Sequence, residues 1–577
     1  MLRPAYTPAV PAHHITTYPE RPLALRDPDP RAAIVASRVN ALVRERRPDL
    51  EVIHIGSSAV PGLPGKGVVD LGIHPLAGAD IAAIRALLAD LGFQRDVGAA
   101  AWPDTRPMFE GGLAEGDIVF PIHLHVIPDP GEWRRQIVFR DRLREDASLR
   151  AGYAALKQEI VAGGAPSSLQ YSFRKTAFIR GVLEAAGAAE PPILPGSTIG
   201  ILGGGQLGRM LAMAARAMGY RIAILDPDPD CPAAAVADEQ ITGRYDDVEA
   251  ALRLAHRSDV VTYELEHVSA EAVRAIDAVR PVRPGLFALQ MTQDRLAERR
   301  FLQQLEIPTA EWLEVHSEEE LRRGVAGLGY PLRLKASKGG YDGRSQVRIG
   351  DARDLDAAWA AMGPRAAEGL LLERELAFEQ EISVVIARDL AGRSAAYPVV
   401  RNRHDAGILV ESVAPAPGPR AVMTSALALA DTIATALDAE GVVTIEMFQL
   451  PGGALAVNEL APRVHNSGHW TLEGARTSQF EQHIRAICGL PLGSVEMTAP
   501  GAAMVNLLGS GQDRAAEVRG IDLALRDPGV AVHLYDKRRV FERRKMGHVT
   551  VVADSTGEAM RRAKAAAAAI SWAEDPA

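Results

Sequence analysis

Short apolar runs alternate with helix-spaced apolar residues in the stretch that begins near residue 198. The runs 199–202 and 221–225 each predict a strand. Between them, apolar side chains recur on one helix face; they are Leu207, Met210, Leu211, Ala214, Ala215 and Met218. This strand–helix–strand order predicts a doubly wound α/β sheet.

The pattern changes after about residue 290, where glycine-rich loops and hairpins interrupt the chain, as in "SKGGYDGRSQ" and "QLPGGALAV". The last 75 or so residues mix short strands with a final helix. An Ala-, Pro- and Gly-rich segment, 186–197, predicts a linker between an N-terminal part of about 185 residues and a C-terminal part of about 380. The chain is therefore expected to be multidomain, with α/β and α+β parts.

Composition narrows the class of protein. The 577 residues are 47% hydrophobic and carry a net charge of -9, which argues against a nucleic-acid-coating surface. Two cysteines, Cys231 and Cys488, allow at most one disulfide and favour a reducing compartment. No run approaches the roughly 18 apolar residues of a membrane span, and the start does not resemble a signal peptide. We expect a cytoplasmic protein that binds neither nucleic acid nor membrane.

The first strand runs into Gly203, Gly205 and Gly208, a complete G-x-G-x-x-G motif. The second strand ends at Asp226, close to where an acid would hold a ribose hydroxyl. Taken alone, this stretch predicts a dinucleotide site, and a nicotinamide dehydrogenase is the alternative that it raises.

A second motif lies in residues 441–470, where two strand-like runs flank a Pro-Gly-Gly turn. A turn centred between Gly452 and Gly453 places Glu446 opposite Glu459. Directly opposed like charges, about 5 Å apart at Cβ, are destabilising unless a cation neutralises them. Magnesium does so through one or two carboxylates together with substrate phosphates, so we predict a metal site here. The alternative is that both side chains point to solvent.

Two further segments carry candidate phosphate chemistry. Lys335 ends a strand and is followed by a loop with Gly339, Gly340 and Gly343, whose amides could approach phosphate oxygens. The loop is not a Walker motif, and an ordinary hairpin loop is the alternative. The run 371–385 places Glu373 after an apolar strand, where a carboxylate could hold an adenine amino group and ribose.

In order, these pieces resemble an ATP-grasp enzyme. The stretches "QDRLAERRFLQQLEIPTA", "GGYDGRSQ", "NELAPRVHNSGHWTLEGARTSQFEQHIRAICGLPLG" and "RRKMGHVT" resemble the 5-(carboxyamino)imidazole ribonucleotide synthase family of purine biosynthesis. The resemblance covers nearly all of residues 197–570.

The resemblance implies a reaction in which ATP phosphorylates bicarbonate to carboxyphosphate. The exocyclic amine of aminoimidazole ribonucleotide then captures the carboxyl group, and ADP and phosphate leave. The implied cofactors are ATP and Mg²⁺, with bicarbonate as co-substrate, and the implied partners are small nucleotides and a second copy of the chain in a homodimer. The site must steady the transferring phosphoryl group and exclude water from a labile intermediate.

The resemblance also assigns residues, each by its place in the family's motifs. The ATP-binding positions are Arg295, Lys335, Gly340, Tyr341, Asp342, Gly343, Arg344, Ser345, Gln346, Glu373, Arg374, Glu375, Leu376, Glu381, His404, Asn458 and Glu459. The metal ligands would be Glu446 and Glu459, and the catalytic residues facing bicarbonate and ribonucleotide would be Arg463, His465 and Asn466. The ribonucleotide-binding positions are Gln206, Leu207, Glu266, Lys537, Arg544 and Lys545.

Two positions depart from the family pattern. Ser345 stands where the family usually has glycine in the loop 340–346, the flap that covers the site, and Asp536 stands where glycine usually precedes Lys537. In this family the glycine loop of the first domain faces the ribonucleotide, so the dehydrogenase alternative recedes and Asp226 becomes a strand-end residue. Glu264 and His267 lie on the next strand end, facing the same crevice as Glu266.

The N-terminal part contains "HIGSSAVPGLPGK", "HLHVIP", "FRDRLREDASLRAGYAALK" and "YSFRKTAFIRGVL", which resemble the GrpB family over residues 15–187. The implied fold is nucleotidyltransferase-like, in which Gly56 and Ser57 would contact a nucleotide phosphate and Asp70 would help to hold a metal. The usual D-x-D is missing, because Gly72 takes the second position.

Other groups could complete this N-terminal site. His123 and His125 alternate on one strand and therefore share a face. The remaining candidates are His54, Asp117, Arg174 and Lys175. Nucleotidyl transfer and a binding or structural module both stay open.

The sequence therefore predicts five segments: a GrpB-type nucleotidyltransferase-like domain (15–187), a linker (188–197), a Rossmann-like pre-ATP-grasp domain (198–290), an ATP-grasp domain (291–500) and a small β-rich C-terminal domain (501–570). The predicted function is a fusion of the carboxylating ligase with a GrpB-type domain. The alternatives are another ATP-grasp ligase with a different amine or carboxylate, and a binding or regulatory relic.

Overall fold

The computed structural model describes residues 15–19, 24–75, 80–95, 107–162, 171, 174–188, 190–339 and 345–573. The chain forms two compact units, Met1–Glu190 and Pro191–Ala577. The division falls inside the predicted linker, but the second half of that segment belongs to the C-terminal unit. There Ile193 donates its N–H to the carbonyl of Cys488 and accepts the hydroxyl of Tyr220, at 2.8 and 2.7 Å.

The N-terminal unit is built on a five-stranded sheet in the order β1-β2-β5-β4-β3. Its strands are β1 (Leu50–Ile55), β2 (Val69–Pro75), β3 (Gln94–Arg95), β4 (Met108–Glu115) and β5 (Ile118–Val126). Its helices are α1 (Arg31–Arg46), α2 (Ile81–Asp90), α3 (Pro130–Glu145), α4 (Ala147–Ala162) and α5 (Thr176–Ala185). Strands β2 and β5 are parallel, whereas the other pairs are antiparallel. Val35, Val39 and Val43 of α1 pack on this sheet.

The C-terminal unit begins with a parallel four-stranded sheet in the order β8-β7-β6-β9. Its strands are β6 (Thr198–Leu202), β7 (Arg221–Asp226), β8 (Glu239–Thr242) and β9 (Val260–Tyr263). The helices are α6 (Gln206–Ala217), α7 (Val248–Arg257), α8 (Ala270–Asp277), α9 (Leu286–Gln293) and α10 (Arg295–Gln304). The predicted apolar face of α6 is buried at Leu207, Met210 and Leu211, which confirms the doubly wound pattern.

A second, antiparallel sheet has the order β10-β13-β11-β12. Its strands are β10 (Trp312–Val315), β11 (Leu332–Ala336), β12 (Gln346–Ile349) and β13 (Leu370–Arg374), and the helices α11 (Glu318–Leu328) and α12 (Leu355–Met362) cover it. Leu332 and Leu334 of β11 point into this core, so Lys335 faces the other side.

The third sheet has nine strands in the order β19-β18-β14-β16-β17-β20-β25-β23, with β15 beside β14. They are β14 (Gln380–Arg388), β15 (Ser394–Ala396), β16 (Val400–Asp405), β17 (Ile408–Ala414), β18 (Gly441–Gln449), β19 (Leu455–Ala461), β20 (Gly501–Leu508), β23 (Val530–Leu534) and β25 (Lys545–Ala553). The predicted domain boundary at residue 500 cuts this sheet, because β17 pairs with β20.

Helices and two small strand pairs complete the unit. The helices are α13 (Arg420–Ala436), α14 (Thr471–Gly474), α15 (Gln479–Ile487), α16 (Ile521–Ala524) and α17 (Thr556–Ala569). The pairs are β21 (Arg514–Ala515) with β24 (Arg539–Val540), and β22 (Val518–Arg519) with β26 (Ser571–Trp572). Polar side chains cap several helix starts, as Asp294 does for α10 and Ser478 for α15. Within the described residues, no helix is both long and apolar enough to cross a membrane.

Candidate active site

A cleft of about 990 Å³ opens in the C-terminal unit among its three sheets. It gathers most of the positions that the sequence assigned to ligands: Gln206, Leu207, Glu266, Arg295, Lys335, Ser345, Gln346, Glu373, Arg374, Glu375, Leu376, Glu381, His404, Glu446, Asn458, Glu459, Arg463, His465, Asn466 and Lys545. The predicted flap positions Gly340, Tyr341, Asp342, Gly343 and Arg344 lie outside the described residues.

The β18–β19 hairpin places Glu446 opposite Glu459, as the sequence predicted. The geometry differs from the simple turn assumed there. The hairpin closes with Leu450 donating to Ala454, and Met447 pairs with Val457. A bulge between Glu446 and Met447 then shifts the register by one residue. Without that bulge Glu446 would face Asn458, so the bulge is what brings the two carboxylates together.

The groups around Glu446 do not balance its negative charge. Burial raises the pKa of Glu446, His404 opposes this shift, and Glu459 and Glu381 add to it by repulsion. His404 is held beside them because its Nδ1 lies 2.6 Å from Oε2 of Glu381. Burial lowers the pKa of His404, but Glu381 and Glu446 outweigh burial and raise it. The cluster therefore favours a bound cation.

A buried network of charged side chains lines the wall of the cleft that β11 and β13 form. Glu373 pairs with Lys335 and, at 3.0 Å, with Arg299. Burial alone would raise the pKa of Glu373, but the two cations lower it to about 2. Arg299 also reaches Glu298 at 3.0 Å and donates to the carbonyl of Asn458 at 2.8 Å.

Arg299 is a site residue that the sequence reasoning missed. It is only 2% exposed and joins the lysine strand to the glutamate hairpin. The available signal was a cation on the apolar face of α10, between Leu296 and Leu302, where solvated arginines do not belong.

Arg463 and His465 follow β19 and face the cleft. Arg463 forms a two-pronged ion pair with Glu266, with N–O separations of 2.5 and 3.0 Å. This pair joins the first sheet to the hairpin. Burial would raise the pKa of Glu266, but Arg463 lowers it to about 2. Nε2 of His465 lies 3.4 Å from Glu446.

A chain of buried hydroxyl and amide groups fixes His465. Asn402 donates to Ser383, and Ser383 donates to Ser467, each over 2.9 Å. Ser467 Oγ lies 2.9 Å from Nδ1 of His465, and the Ser467 N–H also points at that nitrogen. Nδ1 is thus an acceptor, which leaves the proton of a neutral imidazole on Nε2, facing the cleft. Burial, with help from Arg463 and Lys545, holds the pKa of His465 well below its usual value.

Three amides of the glycine loop donate to side chains of the chain itself. The N–H groups of Gly205 and Gly208 both donate to Glu264, at 2.5 Å each, and Gly204 donates to Asp226 at 2.7 Å. Asp226 also accepts from Tyr245 at 2.7 Å. Because Asp226 is occupied in this way, the dinucleotide interpretation is wrong. The prediction that the glycine loop faces the ribonucleotide stays a prediction. Gln206 and Leu207 still line the cleft.

Lys537 and Arg544 are not among the residues that line the cleft. Lys537 donates to the carbonyl of Lys545 at 2.7 Å, and Arg544 donates to that of Arg539 at 2.7 Å. Lys545, the first residue of β25, is the one of the three predicted phosphate-binding residues that lines it.

The two departures from the family pattern have different structural consequences. Asp536 has a φ of 57°, a left-handed conformation that explains a family glycine here. Its carboxylate lies 3.6 Å from Arg209 and 3.1 Å from Arg538. Ser345 accepts a hydrogen bond from Arg365 at 3.1 Å, which anchors the end of the flap.

The N-terminal candidates also converge. Asp70 on β2 lies 3.4 Å from His123 Nδ1 and 3.7 Å from His125 Nε2 on β5. Gly56 has a φ of 70°, and a Cβ there would lie 2.4 Å from the Asp70 carboxylate. Ser57 receives a hydrogen bond from the buried Lys157 at 3.0 Å, a partner that the sequence reasoning missed.

The other N-terminal candidates have contacts of their own, and among them Lys175 lies near enough to Asp70 for their charges to interact. Asp117 is 87% exposed and pairs with Arg31, so it does not complete this site. His54 Nε2 lies 3.0 Å from Ser58. Lys175 stands over the Tyr171 ring at 4.3 Å, and Arg174 is exposed.

Family comparisons match these parts in order. Residues 22–185 match the GrpB protein family, 197–293 the ribonucleotide synthetase preATP-grasp domain, 300–480 the ATP-grasp domain, and 502–562 the phosphoribosylaminoimidazole carboxylase C-terminal domain. The C-terminal unit is thus an ATP-dependent carbon–nitrogen ligase of the ATP-grasp class.

Individual relatives narrow the class. The chain is 43% identical over 364 residues to the N5-carboxyaminoimidazole ribonucleotide synthase of Brucella melitensis, covering 63% of this chain and 98% of the relative. The Bacillus subtilis synthase is 40% identical over 362 residues, 62% of this chain and 92% of the relative. A crystal structure of the Aspergillus clavatus synthase with ADP and 5-aminoimidazole ribonucleotide aligns with a TM-score of 0.59 and 32% identity, covering 64% and 97% of the two chains. The chain belongs to the N5-carboxyaminoimidazole ribonucleotide synthase family.

Proposed function

We propose that the C-terminal unit carboxylates 5-aminoimidazole ribonucleotide. Bicarbonate takes the γ-phosphoryl group of ATP to form carboxyphosphate, and ADP leaves. The amine of the ribonucleotide then attacks the carboxyl carbon, phosphate leaves, and N5-carboxyaminoimidazole ribonucleotide forms. The observation that carries the proposal is that one cleft is lined by the opposed Glu446 and Glu459 together with Lys335, Arg463 and His465.

The paired glutamates fit a magnesium ion. Their opposition across β18 and β19, together with the raised pKa of Glu446, describes a hard oxygen site that lacks positive charge. When bound between these carboxylates and the nucleotide phosphates, the ion would supply charge neutralisation for phosphoryl transfer.

We assign the nucleotide to the wall that Lys335 and Glu373 form. The ammonium group of Lys335 is held by Glu373, and Arg299 holds Glu373 from behind. A lysine fixed in this way keeps its charge toward the phosphates without waiting for the ligand to order it. Glu381 and His404 lie beside the glutamate pair and would hold the nucleotide's polar edge.

Bicarbonate and the ribonucleotide are assigned to the Arg463 side. Arg463 is oriented by Glu266, and His465 presents a donor Nε2–H because its Nδ1 accepts from Ser467. A neutral imidazole donor and a fixed guanidinium suit the oxyanion of carboxyphosphate, which must be steadied until the amine attacks. Asn466 and Lys545 line the same end of the cleft.

The experiment is phosphate release by the whole protein with ATP, magnesium, bicarbonate and aminoimidazole ribonucleotide, omitting each in turn. The proposal expects rapid release only with the complete set, and a carboxylated product that is detected with labelled bicarbonate. Ribonucleotide-independent release, or release that another amine restores equally well, would favour the second candidate, a different ATP-grasp ligase.

Three further assignments belong to the same proposal. A homodimer is supported by the family resemblance and is tested by sedimentation. Cytoplasmic location is supported by the two cysteines, Cys231 and Cys488, which are both free and buried. For the GrpB domain, we propose ligand binding through the Asp70 region; whether it also transfers a nucleotidyl group is tested by incubating labelled nucleotides with the protein.

A further inference from the structure

Three potential metal ligands meet on one face of the N-terminal sheet. Strands β2 and β5 run parallel with Asp70 beside His123 and Gly72 beside His125. One ligand atom from each of Asp70, His123 and His125 lies within 4.8 Å of the others. Ligands bound at about 2.1 Å to one ion lie roughly 3.0 to 3.4 Å apart. The separations from Asp70 Oδ1 to His123 Nδ1 and His125 Nε2, 3.4 and 3.7 Å, nearly match that requirement.

The local packing explains why a second carboxylate is missing. A Cβ at Gly72 would lie 2.7 Å from the ring of Trp133, so an aspartate there has no room. Trp133 fills the space that a second carboxylate would need, and the imidazoles stand on the neighbouring strand. The result is two nitrogen ligands and one oxygen ligand, rather than the all-oxygen set that magnesium prefers.

The histidine that stands nearest Asp70 is also supported from behind. The Nε2 atom of His123 lies 3.1 Å from the Tyr18 hydroxyl and 3.4 Å from Glu110. An outer carboxylate on the far nitrogen is the usual partner of a metal-bound histidine, because it fixes the ring and its tautomer. This arrangement leaves Nδ1 of His123 directed at Asp70.

Two ammonium groups lie close enough to this cluster for their charges to act on it, Lys66 on His123 and Lys175 on Asp70. Lys66 and Lys175 both stand over the ring of Tyr171, at 5.6 and 4.3 Å, and within the described residues neither forms a salt bridge. Burial and the neighbouring charge of Lys66 lower the pKa of Lys175 to about 8. Two like charges share this space, so an anion would stabilise them both.

We propose that Asp70, His123 and His125 bind a divalent transition metal such as zinc, cobalt, iron or manganese, and that its open coordination positions take an oxygen of a phosphorylated ligand whose charge Lys66 and Lys175 balance. Three protein ligands leave at least one position for an exogenous group. The site lies wholly within the N-terminal unit and stands independently of the ligase proposal.

Cobalt provides the first test, because its visible spectrum distinguishes nitrogen-containing from all-oxygen sites. The full-length protein is stripped with a chelator and titrated with Co²⁺ in excess Mg²⁺, which occupies oxygen-only sites. We expect one equivalent to bind with a visible band that Zn²⁺ removes. His125→Gln and Asp70→Asn should each weaken binding at least about 100-fold, more than the loss of an outer partner costs.

Matched controls carry the same changes elsewhere. His256 is exposed on α7, and Asp117 is exposed in the turn between β4 and β5, so His256→Gln and Asp117→Asn should bind cobalt normally. If the site variants bound cobalt as tightly as the wild-type protein does, the metal would lie elsewhere and the proposal would be overturned. Because a site variant can misfold, the zinc-loaded wild-type protein is also measured by X-ray absorption. Two imidazole nitrogens are expected, and a shell of oxygen alone overturns the assignment.

Inorganic pyrophosphate tests the anion part. It should shift the cobalt spectrum of the wild-type protein at an apparent affinity that Lys66→Gln and Lys175→Gln each weaken at least about tenfold, with cobalt binding itself retained. Unchanged pyrophosphate affinity in both lysine variants would show that the lysines bind no anion, and it would overturn the phosphorylated-ligand part of the proposal.

Discussion

Glu264 and Glu446 are both largely buried acids of the C-terminal unit, and burial raises the pKa of each. Their partners differ. Glu264 accepts two backbone N–H groups from the glycine loop, whereas Glu446 faces a second glutamate and two histidines. The chain itself satisfies the carboxylate of Glu264, whereas the carboxylate of Glu446 needs a bound cation. The presence of a glycine motif therefore does not by itself show that its amides bind a ligand, since here Gly204, Gly205 and Gly208 donate to carboxylates of the chain.

The largest expected effect comes from neutralising the unsatisfied acid. Glu446→Gln should lower ligase turnover by at least about 10³-fold, because a charge aimed at the phosphoryl-transfer cation is lost. The same change removes repulsion with Glu459, so the melting temperature should stay level or rise. Phosphate release and thermal unfolding are measured together, with the exposed Glu496→Gln as the matched control. Wild-type turnover in Glu446→Gln would show that the hairpin is not the metal site.

Glu264→Gln should have the opposite effect, with a clear loss of stability and only a small loss of turnover. The amide retains one acceptor and presents a donor to an N–H that the carboxylate had satisfied, which costs about 2 to 3 kcal/mol of unfolding free energy. Turnover at saturating substrate should fall less than about tenfold. Denaturant unfolding and turnover are compared with those of Glu446→Gln. A loss of turnover as large as that of Glu446→Gln, without loss of stability, would mean that the loop region binds substrate after all.

A third buried glutamate, Glu298, extends the comparison to the pH dependence of stability. Burial, reinforced by Glu459, raises the pKa of Glu298 to about 7 despite the opposing charge of Arg299. The folded protein thus keeps a proton that the unfolded chain releases near pH 4.5, so stability is lost as pH rises from about 4.5 to 7, by at most about 3 kcal/mol. Glu298→Gln should flatten this decline, as measured by denaturant unfolding at pH 5 and 7.5. An unchanged slope would assign the decline to other groups.

The smallest expected effect concerns the positioning of His465. Ser467→Ala removes one hydrogen bond to Nδ1 but leaves the Ser467 backbone N–H in place. Turnover should fall about two- to tenfold, which corresponds to the usual net value of one hydrogen bond. The KM for ATP should stay constant, because Ser467 lies away from the nucleotide wall. A change in that KM with constant turnover would contradict a role in fixing the imidazole.

Local sequence patterns predicted most of the fold. Short apolar runs and helix-spaced apolar residues indicated the first sheet of the C-terminal unit and α6, and the Pro-Gly-Gly turn indicated the hairpin. The opposition of Glu446 and Glu459 came out correctly although the assumed turn was displaced, because the bulge compensates for the displacement. Bulges depend on what packs on both faces of a strand, which a turn count does not contain.

Long-range partners were the part that the sequence could not supply. The hydrogen bond from the Gly205 N–H to Glu264 joins residues 59 positions apart in the sequence. The one from Arg299 to the Asn458 carbonyl joins residues 159 positions apart. Neither contact follows from a local pattern. In the N-terminal unit, Asp117 was a candidate to complete the site of His123 and His125, yet its side chain is exposed and pairs with Arg31.

The sheet that crosses residue 500 limits how this ligase can be rearranged. Strands β17 and β20 pair over residues 411–414 and 502–505, so the hairpin that carries Glu446 and the strand that begins at Lys545 belong to one continuous hydrogen-bonded surface. Cutting the gene at this boundary would bare two sheet edges that readily pair with other chains. The last segment therefore shares its sheet with the ATP-grasp domain, and an exchange of this segment between ligases must re-form the β17–β20 pairing.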